Sequence, residues 1–226
     1  MERQLAFDLP SRPSHARGDF FVSPANAEAV AAIDRPGDWP NGRLTLVGPE
    51  GSGKTHLAHV WAAATGAEIV AAAGLARADI ARLGGADALV AEDWEGLPEE
   101  AEAPAFHLVN LLQSRRAPLL ATARMPPARW RIGLPDLASR MQASGVATLA
   151  PPDDALLANL LLKLFSDRQI APEPALIPWL AARIERSFAA AEAAVETLDR
   201  AALAAGQPVG RALARRVLDN GDDVTA

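Results

Sequence analysis

Short apolar runs alternate with longer stretches of helical periodicity between residues 43 and 150. Short apolar runs bounded by turn residues are typical of buried strands, whereas amphipathic stretches of eight or more residues favour helices. The alternation predicts a parallel sheet with crossover helices. The predicted strands are Leu44–Val47, Glu68–Ala71, Ala88–Glu92, Pro118–Thr122 and Val146–Leu149. The predicted helices between them lie near Lys54–Ala64, Ala76–Leu83, Pro104–Arg115 and Leu134–Gln142.

The pattern changes at Pro151-Pro152-Asp153-Asp154. Two prolines prevent a strand from continuing, and the aspartates can cap a helix that follows. Beyond this point the chain shows only helical periodicity. The four predicted helices run roughly over Asp154–Gln169, Pro174–Glu185, Phe188–Ala205 and Val209–Asn220. We therefore predict an extended tail over residues 1–20, an α/β domain over 21–150 and a small helical domain over 151–226.

Composition narrows the class of protein. The chain of 226 residues has a formal net charge of −6 and no cysteine, so disulfides and thiolate metal sites are excluded. Phosphate contacts dominate nucleic-acid affinity, which makes an acidic chain a poor candidate for tight, autonomous DNA binding. No apolar run of about 18 residues occurs, and the amino-terminal residues lack a secretory signal, so we expect no membrane span and a cytoplasmic location.

The strongest chemical signal is the run Gly48-Pro49-Glu50-Gly51-Ser52-Gly53-Lys54-Thr55. It matches the phosphate-loop pattern G-x-x-x-x-G-K-[ST] and lies between a predicted strand and a predicted helix, as that motif requires. Its glycines let backbone N–H groups turn inward around phosphate oxygens, and the amino end of the helix adds a positive dipole. We expect Lys54 to contact the β- and γ-phosphates and the Thr55 hydroxyl to bind Mg²⁺. The alternative is a chance glycine turn before a helix.

A partner acid is expected where a neighbouring buried strand ends. The predicted strand that contains Leu89 and Val90 is followed by Glu92 and Asp93. An acid in this position can orient Mg²⁺ and polarise an attacking water, so both residues are candidate catalytic groups and metal ligands. The alternative is a solvated polar end of a strand. The order Glu then Asp differs from the usual one, in which Asp comes first, and leaves competence for hydrolysis open.

Several stretches resemble the AAA+ core of the DnaA-related replication proteins, and most closely the Hda subgroup. They are Gly48–His56 with Leu57, the helix with Phe106, His107 and Asn110, the run Gly133–Met141, and Leu198–Ala201. The resemblance extends from about Phe20 to Asn220. It implies an α/β fold: an AAA+ P-loop NTPase core with a parallel five-stranded sheet, plus a small all-α lid domain. It also implies ADP or ATP with Mg²⁺ as the ligand, bound by residues 48–55 and His56.

The resemblance assigns a role to Arg140, which lies where the family places its arginine finger. Such a finger reaches the nucleotide of a neighbouring subunit, and its guanidinium neutralises charge that spreads over the γ-phosphate oxygens. The alternative is a surface arginine paired with Asp136, four residues earlier on the same helix face. Thr122 lies near the first sensor position of the family, although a plain threonine at a strand end is an equal alternative.

The run Gln4-Leu5-Ala6-Phe7-Asp8-Leu9 resembles the short peptides by which replication proteins bind the DNA sliding clamp. The Gln4 amide can hydrogen-bond a pocket rim, and Leu5, Phe7 and Leu9 offer apolar anchors in an extended tail. The alternative is an apolar tail that packs on its own domain.

The chain departs from the family in the lid and after it. In DnaA and Hda an arginine near the start of the third lid helix contacts the nucleotide, but Ser187–Glu192 contains none. Arg183 or Arg186 could replace it from the preceding turn. The initiator carries a DNA-reading helix-turn-helix domain after the lid, whereas this sequence ends at Ala226. We therefore expect no recognition of origin sequences by this chain alone.

These inferences combine into one functional hypothesis. The chain would bind adenine nucleotide, bind the DNA polymerase III sliding clamp through its tail, and present Arg140 to the ATP held by DnaA. DnaA would then hydrolyse its ATP, which prevents re-initiation, while the ATPase of this chain would be weak or absent. The alternatives are an autonomous AAA+ ATPase that loads or remodels a replication helicase, and a scaffold that binds nucleotide only for stability. A head-to-tail AAA+ contact is expected, with a homodimer and a larger homo-oligomer both compatible.

Overall fold

The structure is a computed structural model, and it describes residues 21–218. Its centre is a five-stranded sheet in which every neighbouring pair of strands is parallel, in the order β2-β3-β4-β1-β5. The fold class predicted from the sequence is confirmed. The strands are β1 (Arg43–Val47), β2 (Glu68–Ala71), β3 (Leu89–Glu92), β4 (Leu119–Ala123) and β5 (Gly145–Thr148).

In the described part of the chain, five α-helices lie before or between the strands and four follow them. The first group is α1 (Ala27–Ile33), α2 (Lys54–Thr65), α3 (Ile80–Leu83), α4 (Glu99–Arg115) and α5 (Pro135–Gln142). The second group is α6 (Asp154–Asp167), α7 (Leu176–Ala181), α8 (Phe188–Ala205) and α9 (Arg211–Leu218). Within residues 21–218 no helix combines the length and apolarity needed to cross a bilayer.

Several predicted helix bounds are wrong for identifiable reasons. The stretch 76–83 divides into a 3-10 turn over Ala72–Arg77 and the short helix α3, because the Asp79 carboxylate caps a new helix start by accepting from the Arg82 N–H. Helix α4 begins at Glu99, before Pro104. Proline removes one backbone donor, a loss that this helix of 17 residues tolerates through its packing. Helix α1 was not predicted, and helix α7 is shorter than expected.

Both faces of the sheet are covered by helices, which explains its nearly unbroken apolar strands. Alternate strand residues point to opposite faces. Leu44, Leu46 and Val90 pack in a cluster with helices α1 and α2. Leu89 and Leu119 pack in a second cluster with helices α4 and α5.

Helices α6–α9 form a helical unit with a hydrophobic core of its own, which we call the lid. Two side chains fix the starts of its longer helices. Asp153 caps α6 by accepting from the Leu156 N–H at 2.8 Å, and Ser187 caps α8 by accepting from the Ala190 N–H at 3.0 Å. The core is formed by residues of all four helices, among them Leu161, Phe165, Leu180, Val195 and Leu213.

Because all strands are parallel, the sheet has two unlike edges. The carboxyl ends of β1, β3 and β4 meet at one of them, which we call the carboxyl edge, and the phosphate loop follows β1 there. The opposite amino edge contains Arg43 at the start of β1 and the last turn of helix α4. The edges are about 16 Å apart, since five residue steps of roughly 3.3 Å separate Arg43 from Gly48.

Candidate phosphate-binding site

The loop over residues 48–53 has a backbone that only glycine fits well. Gly51 and Gly53 have φ angles of 70° and 90°, in the left-handed region. A Cβ atom on Gly48 would lie 2.4 Å from the Leu149 carbonyl oxygen. The loop backbone therefore packs against Leu149, the residue after β5, so closely that position 48 has no room for a side chain.

Lys54 folds back over this loop. Its Nζ donates to the carbonyl oxygens of Gly48 at 2.8 Å and Pro49 at 2.7 Å. Burial lowers the pKa of the Lys54 ammonium, an effect that the nearby carboxylates of Glu95 and Asp93 oppose. The ammonium thus lies inside the loop, where a phosphate group would meet a cation and backbone amides together.

Two polar groups of the loop suit an anion. No side chain among residues 21–218 caps the amino end of helix α2, so its first-turn N–H groups keep their capacity to bind an anion. The Ser52 hydroxyl is buried and has no hydrogen-bond partner within residues 21–218. A buried hydroxyl without a partner is costly, and a phosphate oxygen would satisfy it.

Glu92 lies beside helix α2. Its Oε2 is 3.6 Å from Nε2 of His59, and its Oε1 is buried without a hydrogen-bond partner among the described residues. Thr55 lies one turn before His59 on helix α2, so the two residues share one helix face. A hydroxyl and a carboxylate, together with phosphate oxygens, fit Mg²⁺, which prefers oxygen ligands. Over residues 21–218 no group of three or more His, Asp or Glu side chains could hold a metal without such phosphates.

Asp93 adopts a conformation that is rare for a residue other than glycine, with φ 54° and ψ 50°. Its N–H donates to Oγ1 of Thr122, which is buried at the end of β4, at 3.1 Å. The bond joins the ends of two neighbouring strands and fixes Asp93 beside the loop. Thr122 thus positions a candidate catalytic acid, a role that its sequence position near the sensor did not predict.

Arg124 forms a charged group with the carboxylates of Glu50 and Glu95. Its Nη2 lies 3.0 Å from Oε2 of Glu50 in the phosphate loop, and its backbone N–H donates to Oε1 of Glu95 at 2.9 Å. Arg124, which follows β4, therefore places a positive charge on the exposed side of the phosphate loop. The sequence signal for it is the arginine two residues after the predicted strand end at Thr122.

The lid packs directly on the phosphate loop. The N–H of Phe188, the first residue of α8, donates to the Gly51 carbonyl oxygen at 2.8 Å. A Cβ atom on Gly53 would lie 2.9 Å from the Phe188 ring, and this ring stacks on His56 with centroids 6.1 Å apart. His56 and two loop glycines thus form the seat of helix α8.

The two arginines proposed as substitutes are engaged within the lid. Arg186 Nη2 lies 2.7 Å from Oδ1 of Asp154, and the Arg183 guanidinium lies 4.3 Å from the Trp179 ring centroid. The structure shows neither contacting the phosphate loop.

Arg140 lies at the amino edge of the sheet, away from the phosphate loop of its own chain. Its Nη1 donates to Oε1 of Gln113 at 2.8 Å, and its guanidinium lies 5.3 Å from the centroid of the Phe106 ring. Among the described residues these contacts, and not an ion pair with Asp136, hold it. The distance across the sheet prevents Arg140 from reaching a phosphate at its own loop.

The remaining predicted site residues, Gln4, Leu5, Phe7 and Leu9, lie outside the described residues. Among the predicted residues, the structure brings Lys54, Asp93 and His56 to the phosphate loop and Glu92 to His59 of helix α2.

A comparison with models of protein families finds no match. The chain is 26% identical over 215 residues to the chromosomal replication initiator protein DnaA of Cutibacterium acnes, covering 86% of this chain and 43% of the relative. It is 27% identical over 239 residues to DnaA of Thermomicrobium roseum, covering 93% and 50%. Over most of its own length the chain is therefore similar to DnaA.

Solved structures agree with this relationship at the level of the fold. Domain III of Thermotoga maritima DnaA matches with a TM-score of 0.77 at 18% identity, over 96% of this chain and 100% of that one. AMPPCP-bound DnaA from Aquifex aeolicus matches with a TM-score of 0.67 at 16% identity, over 83% of this chain and 66% of that one. The chain spans about half the length of the DnaA sequences that it matches.

Proposed function

We propose that this DnaA-related chain binds ADP or ATP with Mg²⁺ at residues 48–56 and uses Arg140 to complete the hydrolytic site of DnaA in trans. The position of Arg140 carries the proposal. It stands at the edge of the sheet opposite its own phosphate loop, and no acidic side chain among residues 21–218 pairs with it. A guanidinium so placed can serve only a phosphate that another molecule presents.

The proposal that the chain binds a nucleotide rests on the structure of the phosphate loop. Lys54, the uncapped start of helix α2 and the buried hydroxyl of Ser52 are suited to phosphate, and Thr55 and Glu92 are suited to Mg²⁺. The AMPPCP bound to a similar DnaA structure adds support. We expect Lys54→Ala to abolish nucleotide retention, measured by equilibrium dialysis with ADP and ATP. Retention of both nucleotides at parental affinity would refute the site.

The trans role is tested by ATP hydrolysis in DnaA. Purified chain, with sliding clamp and DNA, should accelerate hydrolysis of DnaA-bound ATP, and Arg140→Ala should lower this acceleration by about 10³-fold or more. Arg131→Ala is the matched control, because Arg131 is an exposed arginine in the loop before helix α5. Full stimulation by the Arg140→Ala variant would remove the finger assignment.

The proposed contact with the clamp rests on the sequence of residues 4–9. A peptide of residues 1–12 should bind the clamp, and a peptide with Gln4, Leu5 and Phe7 replaced by alanine should not. Equal binding of both peptides would assign the attraction to something other than these anchors.

A second candidate, an autonomous ATPase that acts on a replication helicase, is favoured by one observation. Asp93 is fixed beside the phosphate loop of its own chain by Thr122, as a catalytic acid acting in cis would need to be. This function predicts appreciable turnover by the chain alone, lost in Lys54→Ala and indifferent to the clamp. Turnover at background level in the isolated chain would exclude it.

A further inference from the structure

A buried arginine lies beneath Arg140 at the amino edge of the sheet. Arg43, the first residue of β1, is only 4% exposed. Its Nη1 donates to Oε1 of Gln113 at 3.2 Å, and the same oxygen accepts from Nη1 of Arg140 at 2.8 Å. One side-chain amide oxygen therefore joins two guanidinium groups.

The orientation of this amide follows from the chemistry of its neighbours. Arginine has five N–H donors and no acceptor, so only the oxygen of Gln113 can face Arg43 and Arg140. Gln113 lies in the last turn of helix α4 and Arg140 in the last turn of helix α5, so the amide ties the ends of two helices to β1.

The arrangement leaves positive charge without a counterion. Within the part of the chain that the structure describes, neither Arg43 nor Arg140 has an acidic ion-pair partner, and Nε of Arg43 is buried without a hydrogen-bond partner. Burial lowers the pKa of the Arg43 guanidinium, and the charge of Arg140 lowers it further. An anion brought to Arg140 from outside would reduce this repulsion.

The Phe106 ring restricts Arg140 from the other side. The guanidinium lies over the ring at 5.3 Å, an arrangement that suits its planar, weakly hydrated cation. Ring and amide together hold the guanidinium in one place, while one of its five donors is used by Gln113. The other donors can serve a phosphate.

We infer that Gln113 and Arg43 are positioning residues for Arg140, which hold its guanidinium and keep its charge uncompensated until a neighbouring molecule presents a nucleoside triphosphate. This inference rests on the proposed function and deepens it. A neutral amide is required at position 113, because a carboxylate there would pair with both arginines and use up the charge that the triphosphate needs.

The replacement Gln113→Glu tests this requirement. It keeps the shape of the side chain and adds attraction to two arginines, so we expect a melting temperature at or above that of the parent chain. Stimulation of ATP hydrolysis in DnaA at saturating chain should nevertheless fall by about 100-fold, the loss typical when one group that stabilises transition-state charge is removed. The chain concentration for half-maximal stimulation should stay within about twofold, since docking is unchanged.

Three further variants complete the experiment. Gln113→Ala should also lower the maximal stimulation of ATP hydrolysis, and Arg43→Met should lower it while preserving the fold. Gln142 is an exposed glutamine on helix α5, so Gln142→Ala should leave the maximal stimulation unchanged. A folded Gln113→Glu variant with parental stimulation would overturn the positioning role if Arg140→Ala is inactive in the same assay. Parental stimulation by Arg140→Ala would instead overturn the proposed function itself.

Discussion

Glu102 anchors the start of helix α5, the helix that carries Arg140. It is 7% exposed, and its two oxygens accept from separate backbone donors. Oε1 accepts from the Gly133 N–H at 2.8 Å, and Oε2 accepts from the Leu134 N–H at 2.7 Å. Helix α4 thus fixes the turn that leads into α5 through one carboxylate.

The structure gives the size of the effect expected from Glu102→Gln. An amide has one acceptor oxygen, so its NH₂ group must face one of the two backbone donors. One hydrogen bond to a charged group, worth about 1.5–3 kcal/mol, is lost, and we expect the free energy of unfolding to fall by about 2 kcal/mol. For a chain of this size that corresponds to a decrease of roughly 4–8 °C in melting temperature.

Urea unfolding followed by tryptophan fluorescence measures this change, because Trp130 lies in the same core cluster as helices α4 and α5. Glu100→Gln is the matched control: Glu100 is exposed in the first turn of the same helix, and its change should be below about 1 kcal/mol. If both variants unfold at the same urea concentration, the carboxylate does not anchor the turn and the reasoning fails.

Three further predictions concern buried hydroxyls, the cap of helix α6 and the seat of the lid. Thr122→Val removes the acceptor for the Asp93 N–H and should lower the free energy of unfolding, measured by thermal unfolding, by about 1–2 kcal/mol. Thr45→Val replaces a buried hydroxyl that has no partner among the described residues, so it should be neutral or stabilising. Equal losses would contradict this contrast. Asp153→Ala should cost about 1 kcal/mol at neutral pH. Hydrogen bonding to the Leu156 N–H lowers the folded pKa of the Asp153 carboxyl below its unfolded value. The stabilisation is therefore present above about pH 4 and is lost as the pH falls through the folded pKa. A difference in urea stability between the parent and Asp153→Ala that persists at pH 2 would contradict this prediction. Phe188→Ala should speed hydrogen exchange in the first turn of helix α8 by at least tenfold, and unchanged exchange would show that the ring does not seat the lid.

Local patterns were sufficient for the parts of the fold that depend on neighbouring residues. The position of the loop over residues 48–53 between a strand and a helix was predicted correctly, because glycines, lysine and the flanking strand and helix all lie within a few residues of one another. Helix α8 runs over Phe188–Ala205 as predicted, since Ser187 caps its start and Gly206 adopts a left-handed conformation at its end.

Tertiary contacts determine the features that local sequence patterns did not predict. The interior position of Pro104 depends on burial of the helix around it, which overrides its local preference. The partners of Arg140 are 27 residues away in Gln113 and, through it, a further 70 residues away in Arg43. A spacing of four residues suggested Asp136 instead, because the sequence shows helix neighbours but not which helices meet.

The unlike edges of the sheet give any assembly built from this chain a direction. A contact that joins the amino edge of one molecule to the carboxyl edge of the next is heterologous, so a two-fold symmetric dimer cannot use it at both subunits in the same way. A molecule at the end of such a row would contribute its guanidinium and keep its own pocket uncovered. The chain would then terminate a row of related subunits at one end only, and the order of binding would fix which neighbour loses its γ-phosphate.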